Sequence, residues 1–173
     1  MAVPFKVILK SIILFVWKQL QKIISFLTSL LIFIAITVVI LYLLKIKPYV
    51  VTTGSMEPAI PLHSVCFVDE NIPLESIEIG EVISFRLGDN MLVTHRVTDI
   101  QDDEYSTKGD ANNTKDAASV TKENYVGKTI LVFPKIGIVL IYLHSKRGKI
   151  VAVTLMILLL ILSFLPKKEE KEQ

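Results

Sequence analysis

Three residue types in this chain could together do nucleophilic catalysis, and they sit in separate segments. Ser55 stands on a glycine in "VTTGSMEPAI", ahead of Met-x-Pro. A serine hydroxyl is a weak nucleophile until a base within hydrogen-bond reach takes its proton and donors are placed for the oxyanion. His95, in "LVTHRVT", is the best candidate base. A neutral imidazole, with an ordinary pKa of about 6.5, suits proton transfer from serine near neutrality. "TKGDANNTKDA" supplies Asp110 and Asp116, and a carboxylate on the histidine Nδ1–H would fix its tautomer and stabilise the imidazolium. Each element alone has a plainer explanation: a turn serine, a satisfied structural histidine, and the turn chemistry of Asp and Asn. Only the need to reach Nδ1 of His95 chooses between the two aspartates. Together they supply nucleophile, base and orienter within one domain.

Other tempting residues fare worse. Lys108 could serve as base in a Ser-Lys dyad, but burial would first have to strip its proton. His63 and His144 read as surface or interfacial groups, Glu57 as solvent-facing, and Pro58 as stiffening the turn after Ser55. The single cysteine, Cys66, excludes an internal disulfide and a CxxC metal site, and in "SVCFV" it reads as a small buried hydrophobe. Three histidines without metal-ligand spacing do not suggest zinc, so neither metal nor cofactor is expected. A net charge of +2 gives no nucleic-acid footprint.

These residues need elements to hold them. The 173-residue chain is 51% hydrophobic yet 21% charged, so grease and charge must be segregated along it. Residues 23–44, "IISFLTSLLIFIAITVVILYLL", carry no charge and as a helix would reach about 33 Å, enough for a bilayer core of roughly 30 Å. Residues 1–22 bear Lys6, Lys10, Lys18 and Lys22 and no acid, as suits an amphipathic cytoplasmic helix with Trp17 at interfacial depth. That basic flank places the N-terminus in the cytoplasm and the chain from Lys45 onward outside. "YLLKIKP" offers no small-x-small cleavage site, so the segment reads as an uncleaved signal anchor. A second apolar run at 150–165 would reach about 24 Å. With Lys149 and Lys167 able to snorkel, it reads as a second span, a re-entrant or surface-lying helix being the alternative. Residues 166–173 form a charged tail.

Residues 45–149 are enough for one domain with its own core. Here the apolar period is two. "EVISFRL" and "MLVTHRVTDI", joined by "GDN", predict a hairpin, with Val93, His95 and Val97 on one face. "YSTKGD" follows the acidic turn "QDDE", and "NYVGKTILVF" predicts a further strand ending at Pro134. No long helix is evident, so the fold class is mainly β: a small antiparallel β domain on one membrane helix, with a second expected near the C-terminus. Most of the acids between the two runs read as a solvated face. "KIGIVLIYL" is apolar after its leading lysine and either packs in the core or dips into the outer leaflet.

"TGSMEPAI", "VTHRV" and "TKGDANNTKD", in that order after an N-terminal anchor, resemble type I signal peptidases. The likeness is closest to the endoplasmic-reticulum and archaeal branch, also found in some Gram-positive bacteria, which has histidine where most bacterial forms have lysine. It runs from the anchor to about Leu143. The resemblance implies a membrane-bound serine endopeptidase that removes signal peptides from exported preproteins after small residues at −1 and −3, on the extracytoplasmic side. It implies Ser55 as nucleophile, His95 as general base, Asp116 as triad acid and Asp110 as a second carboxylate important to the site. Thr53 would join the Ser55 backbone N–H in holding the oxyanion. Implied partners are signal-peptide-bearing preproteins, the lipid bilayer and the secretion translocon, with no nucleic acid. Two rivals remain: a catalytically silent, membrane-tethered β module, and a peptidase with a regulatory substrate, akin to self-cleaving repressors.

Overall fold

A computed structural model of the chain describes residues 4–88 and 91–163. It divides into two compact units, one helical, taking residues up to Val39 and from Lys146 onward, and one mainly β, Ile40–Ser145.

The helical unit carries most of α1, a single 39-residue helix over Phe5–Leu43 that joins the lysine-bearing segment and the apolar run without a break. Among the described residues it is the one helix long and apolar enough to cross a membrane, over Val7–Leu43. Three of its hydroxyls bond back along the helix: Ser11, Thr28 and Thr37 donate to the carbonyls of Val7, Ile24 and Phe33, at 3.1, 2.9 and 2.9 Å. Where no water can satisfy a polar group, bonding back to the preceding turn is the available solution. The helix α3, Lys146–Ser163, opens with Lys146, Arg147 and Lys149 and is apolar beyond them. The rest of the second apolar run and the tail at 166–173 lie outside the described residues, as do Asp89 and Asn90 of the "GDN" turn.

The β unit is one six-stranded sheet. Its strands are β1 (Ile46–Val50), β2 (Val65–Asp69), β3 (Val82–Leu87), β4 (Met91–Gln101), β5 (Glu104–Lys108) and β6 (Tyr125–Phe133). They lie in the order β1-β2-β6-β3-β4-β5, every neighbour antiparallel. Pro48 falls on the edge strand β1, where a missing N–H is tolerated. Asp102 and Asp103 join β4 to β5 with φ of 46° and 64°, the pair of left-handed residues that a two-residue hairpin turn needs.

Two apolar clusters hold the sheet. One takes Ile83, Phe85, Val97 and Tyr105 from β3, β4 and β5, closed over by Leu74, Ile77 and Val120. The other takes Cys66 and Val68 from β2 with Met56 and Ile60 from the preceding loop. Between them β3 is covered on both faces, since Ser84 is also buried and shares a 2.8 Å hydrogen bond with Thr94.

The "KIGIVLIYL" segment forms α2, Gly137–His144. Beyond Lys135 the stretch is apolar at every position and carries no period, so the pattern could not announce this helix. Ile138, Val139, Ile141 and Tyr142 are exposed on it. Its first residue is tied to the loop ahead of β2, Gly137 N–H donating to the His63 carbonyl at 2.8 Å. A Cβ there would stand 2.6 Å from that same oxygen, so only glycine fits.

Candidate active site

Ser55 lies on the loop between β1 and β2, residues 51–64. Backbone bonds close the loop at its base: Val51 N–H to the Ser64 carbonyl at 2.9 Å, and His63 N–H to the Val51 carbonyl at 3.0 Å. At its centre "SMEPAI" folds into a tight turn, closed by Ile60 N–H donating to the Met56 carbonyl at 2.8 Å. Met56 and Ile60, at the two ends of that turn, are driven into the core at 1% and 3% exposure. With its neighbour Met56 pulled inward, Ser55 stays at the surface, only partly covered. Glu57 is exposed, and its Oε1 accepts from Leu62 N–H at 3.3 Å.

The sheet brings a histidine to it. In β4, His95 and Val97 are buried, while Arg96 between them is not, as the strand alternation required. His95 Nε2 stands 3.0 Å from Ser55 Oγ, and Nδ1 stands 2.6 Å from Asp116 Oδ2. A carboxylate only accepts, so this geometry puts the ring proton on Nδ1 and leaves Nε2 to accept from the serine O–H. The Phe85 ring and the imidazole pack edge to face, with centroids 6.4 Å apart.

The aspartates part company. Asp116 reaches His95. Asp110 instead takes both fork donors of Arg96, Nε at 2.8 Å and Nη2 at 2.7 Å, while Arg96 Nη1 donates to the Gly80 carbonyl at 2.7 Å. The Arg96 guanidinium holds the Asp110 carboxyl below the usual carboxylate range. The turn that carries both aspartates is docked directly on the serine, with Ala111 N–H donating to the Ser55 carbonyl at 2.8 Å. Gly109 makes that docking possible, because a Cβ there would come within 2.6 Å of the same carbonyl oxygen.

A cavity of about 810 Å³ opens beside the serine, walled by Val51, Met56, Phe85 and Val93 as well as His95 and Asp116. Cys66 also lines it, but burial pushes its thiol up to about 11, so at neutral pH it is no competing nucleophile. The Thr53 hydroxyl lies 3.3 Å from Ser55 Oγ. Lys108 ends β5, in register with Arg96, and the basic group hydrogen-bonded to Ser55 Oγ is the imidazole. Among the described residues no cluster of His, Cys, Asp and Glu could hold a metal ion.

No family model matches the chain. A stretch of it is 41% identical over 78 residues to signal peptidase I W of Bacillus subtilis (strain 168). The match takes in 43% of this chain and spans 41% of the relative's length. Partial as it is, the likeness supports a type I signal peptidase.

Sequence reasoning singled out Ser55, His95 and both aspartates, and missed three residues that support them. Arg96 was passed over as the outward neighbour of the histidine. Gly109 carried no reading of its own, though it directly precedes Asp110. Thr107, fully buried on β5, donates from Oγ1 to Asp116 Oδ2 at 2.7 Å. Strand parity in "YSTK" puts Thr107 on the same side as Tyr105, and that was the signal available for it.

Proposed function

We propose that the protein is a membrane-bound type I signal peptidase of the serine–histidine–aspartate kind, cutting signal peptides from exported preproteins after small residues at −1 and −3. The observation that carries this reading is the continuous line of hydrogen bonds from Ser55 through His95 to Asp116. The 41% identity to a signal peptidase over part of the chain points the same way.

In this reading His95 Nε2 takes the Ser55 proton as Oγ adds to the scissile carbonyl carbon, and Asp116 stabilises the imidazolium that forms. The oxyanion is held by the Ser55 backbone N–H and, after a turn of its side chain, by the Thr53 hydroxyl. His95 then gives its proton to the leaving amine, which frees the mature protein and leaves the signal peptide esterified to Ser55. Water, activated by the same histidine, hydrolyses the ester. Asp110 acts through Arg96, fixing the turn that bears Asp116. The apolar cavity takes the small side chains ahead of the scissile bond, and the extended substrate pairs with a strand edge beside it.

Anchoring by α1 gives the chemistry its address. A signal peptide is itself an apolar, membrane-inserted segment, so enzyme and cleavage site meet in two dimensions. The N-terminus lies in the cytoplasm, the β unit outside, and the second apolar run returns the chain to the inner side. The test is cleavage of a model preprotein in vesicles by wild type, Ser55→Ala, His95→Ala and His95→Lys, with folding followed by circular dichroism. Folded variants lacking Ser55 or His95 should lose at least about a thousandfold in kcat. Normal cleavage by His95→Ala would overturn the triad.

A further inference from the structure

We infer that Thr107 is a positioning residue, whose hydroxyl holds the Asp116 carboxylate in the one orientation that meets His95. The inference deepens the proposed serine–histidine–aspartate reading and rests on it for its effect on rate.

The argument starts from the torsion of an aspartate side chain. The last torsion of Asp is broad, so a single hydrogen bond to an imidazole leaves the carboxylate plane free to swing. Here one oxygen, Oδ2, takes two donors from different elements: His95 Nδ1 on β4 at 2.6 Å and Thr107 Oγ1 on β5 at 2.7 Å. The main chain is fixed beside it, since Asp116 N–H donates to the Thr107 carbonyl at 2.8 Å. Thr107 thus grips Asp116 at both its backbone and its carboxylate.

Thr107 is itself immobile. It is wholly buried, it lies opposite Val97 in the β4–β5 ladder, and a β-branched side chain in a strand has few rotamers. A buried hydroxyl must find an acceptor, and this one spends its proton on the carboxylate rather than on a neighbouring carbonyl. Asp116, by contrast, lies in a loop outside the strands, with a side chain 19% exposed. Loops drift more than strands, so a carboxylate carried by one gains most from a fixed partner in the sheet. Ser55, His95 and Asp116 come from three segments, and Thr107 ties the loop-borne aspartate to the strand next to the base.

The test uses the full-length protein in nanodiscs with Thr107→Val, Thr107→Ser and Asp116→Ala. The valine keeps the branched shape and loses the donor, while the serine keeps the donor and loses the methyl. Thr107→Val should lower kcat by about 10- to 100-fold, the loss of one hydrogen bond to a charged group read as a rate, with KM within about twofold. Thr107→Ser should return kcat to within about threefold of wild type. A second readout is independent of cleavage: the proton NMR signal of the His95 Nδ1–H, assigned by its absence in His95→Ala. It should stand far downfield in wild type and Thr107→Ser, and shift upfield in Thr107→Val and Asp116→Ala.

An unchanged signal and unchanged kcat in Thr107→Val would overturn the inference. So would a loss of thermal stability and activity that Thr107→Ser shares in full, which marks a packing role only. Should wild type cleave no signal peptide, the functional reading fails, and the NMR comparison alone still decides whether Thr107 holds Asp116 on the imidazole.

Discussion

Replacing Asp110 by Asn should damage the fold of the site more than its chemistry, and the size of the damage follows from Arg96. The two charge-assisted bonds between them are 2.8 and 2.7 Å long, yet the Arg96 side chain is 34% and the Asp110 side chain 19% exposed. A fully buried pair of this geometry would be worth several kcal/mol; solvent screening at this exposure reduces the expected loss to about 1–2 kcal/mol. For a domain of this size that is a fall in Tm of roughly 5–10 °C. The loosened turn also carries Asp116, so kcat should drop several-fold, against about a thousandfold or more for Asp116→Asn. The pH dependence has a definite sign. Arg96 depresses the folded-state carboxyl of Asp110, so its stabilisation is complete above the unfolded value of about 3.9 and is lost as pH falls through the folded one. Thermal melts of wild type and Asp110→Asn should therefore differ fully above about pH 5 and converge in stronger acid. The assay is paired: melting followed by circular dichroism across pH, and cleavage of a model preprotein at neutral pH. If Asp110→Asn melts like wild type and is as inactive as Asp116→Asn, Asp110 belongs to the chemistry and this reasoning is refuted.

Two further outcomes can be measured directly. Gly109→Ala sets a methyl 2.6 Å from the Ser55 carbonyl oxygen, a backbone atom that cannot step aside alone, and should lower both kcat and stability, the latter by about 1–3 kcal/mol. Cys66 is wholly buried with a thiol pushed up to about 11, so at pH 8 it should resist alkylation in the folded protein and react rapidly once urea unfolds it, as followed by mass spectrometry.

What the sequence revealed, it revealed through period and charge. Alternation in "VTHRV" placed His95 on the buried side with Val97, and the uncharged run placed an apolar helix ahead of the β unit. The join between the lysine-bearing segment and that run was not legible, because no Gly, Pro or capping signal interrupts the sequence between Phe5 and Leu43. The aspartates could not be told apart either. Which one meets the histidine depends on how residues 109–116 turn, and that is set by contacts distant in sequence: Arg96 capturing Asp110, Ala111 docking on Ser55, Thr107 gripping Asp116. For the same reason Arg96 looked like an ordinary outward strand residue until its partner was in view.

The bond from Ala111 N–H to the Ser55 carbonyl has a consequence for anyone recombining this protein with a relative. The segment that bears the serine and the segment that bears the aspartates meet backbone to backbone, so neither has an independent resting shape. A graft of residues 51–64 alone, or of 109–116 alone, would bring a foreign surface against the Gly109 contact. Exchanged as a matched pair, the two should transplant as one part, and a chimaera built that way is the one expected to keep its serine, histidine and aspartate in line.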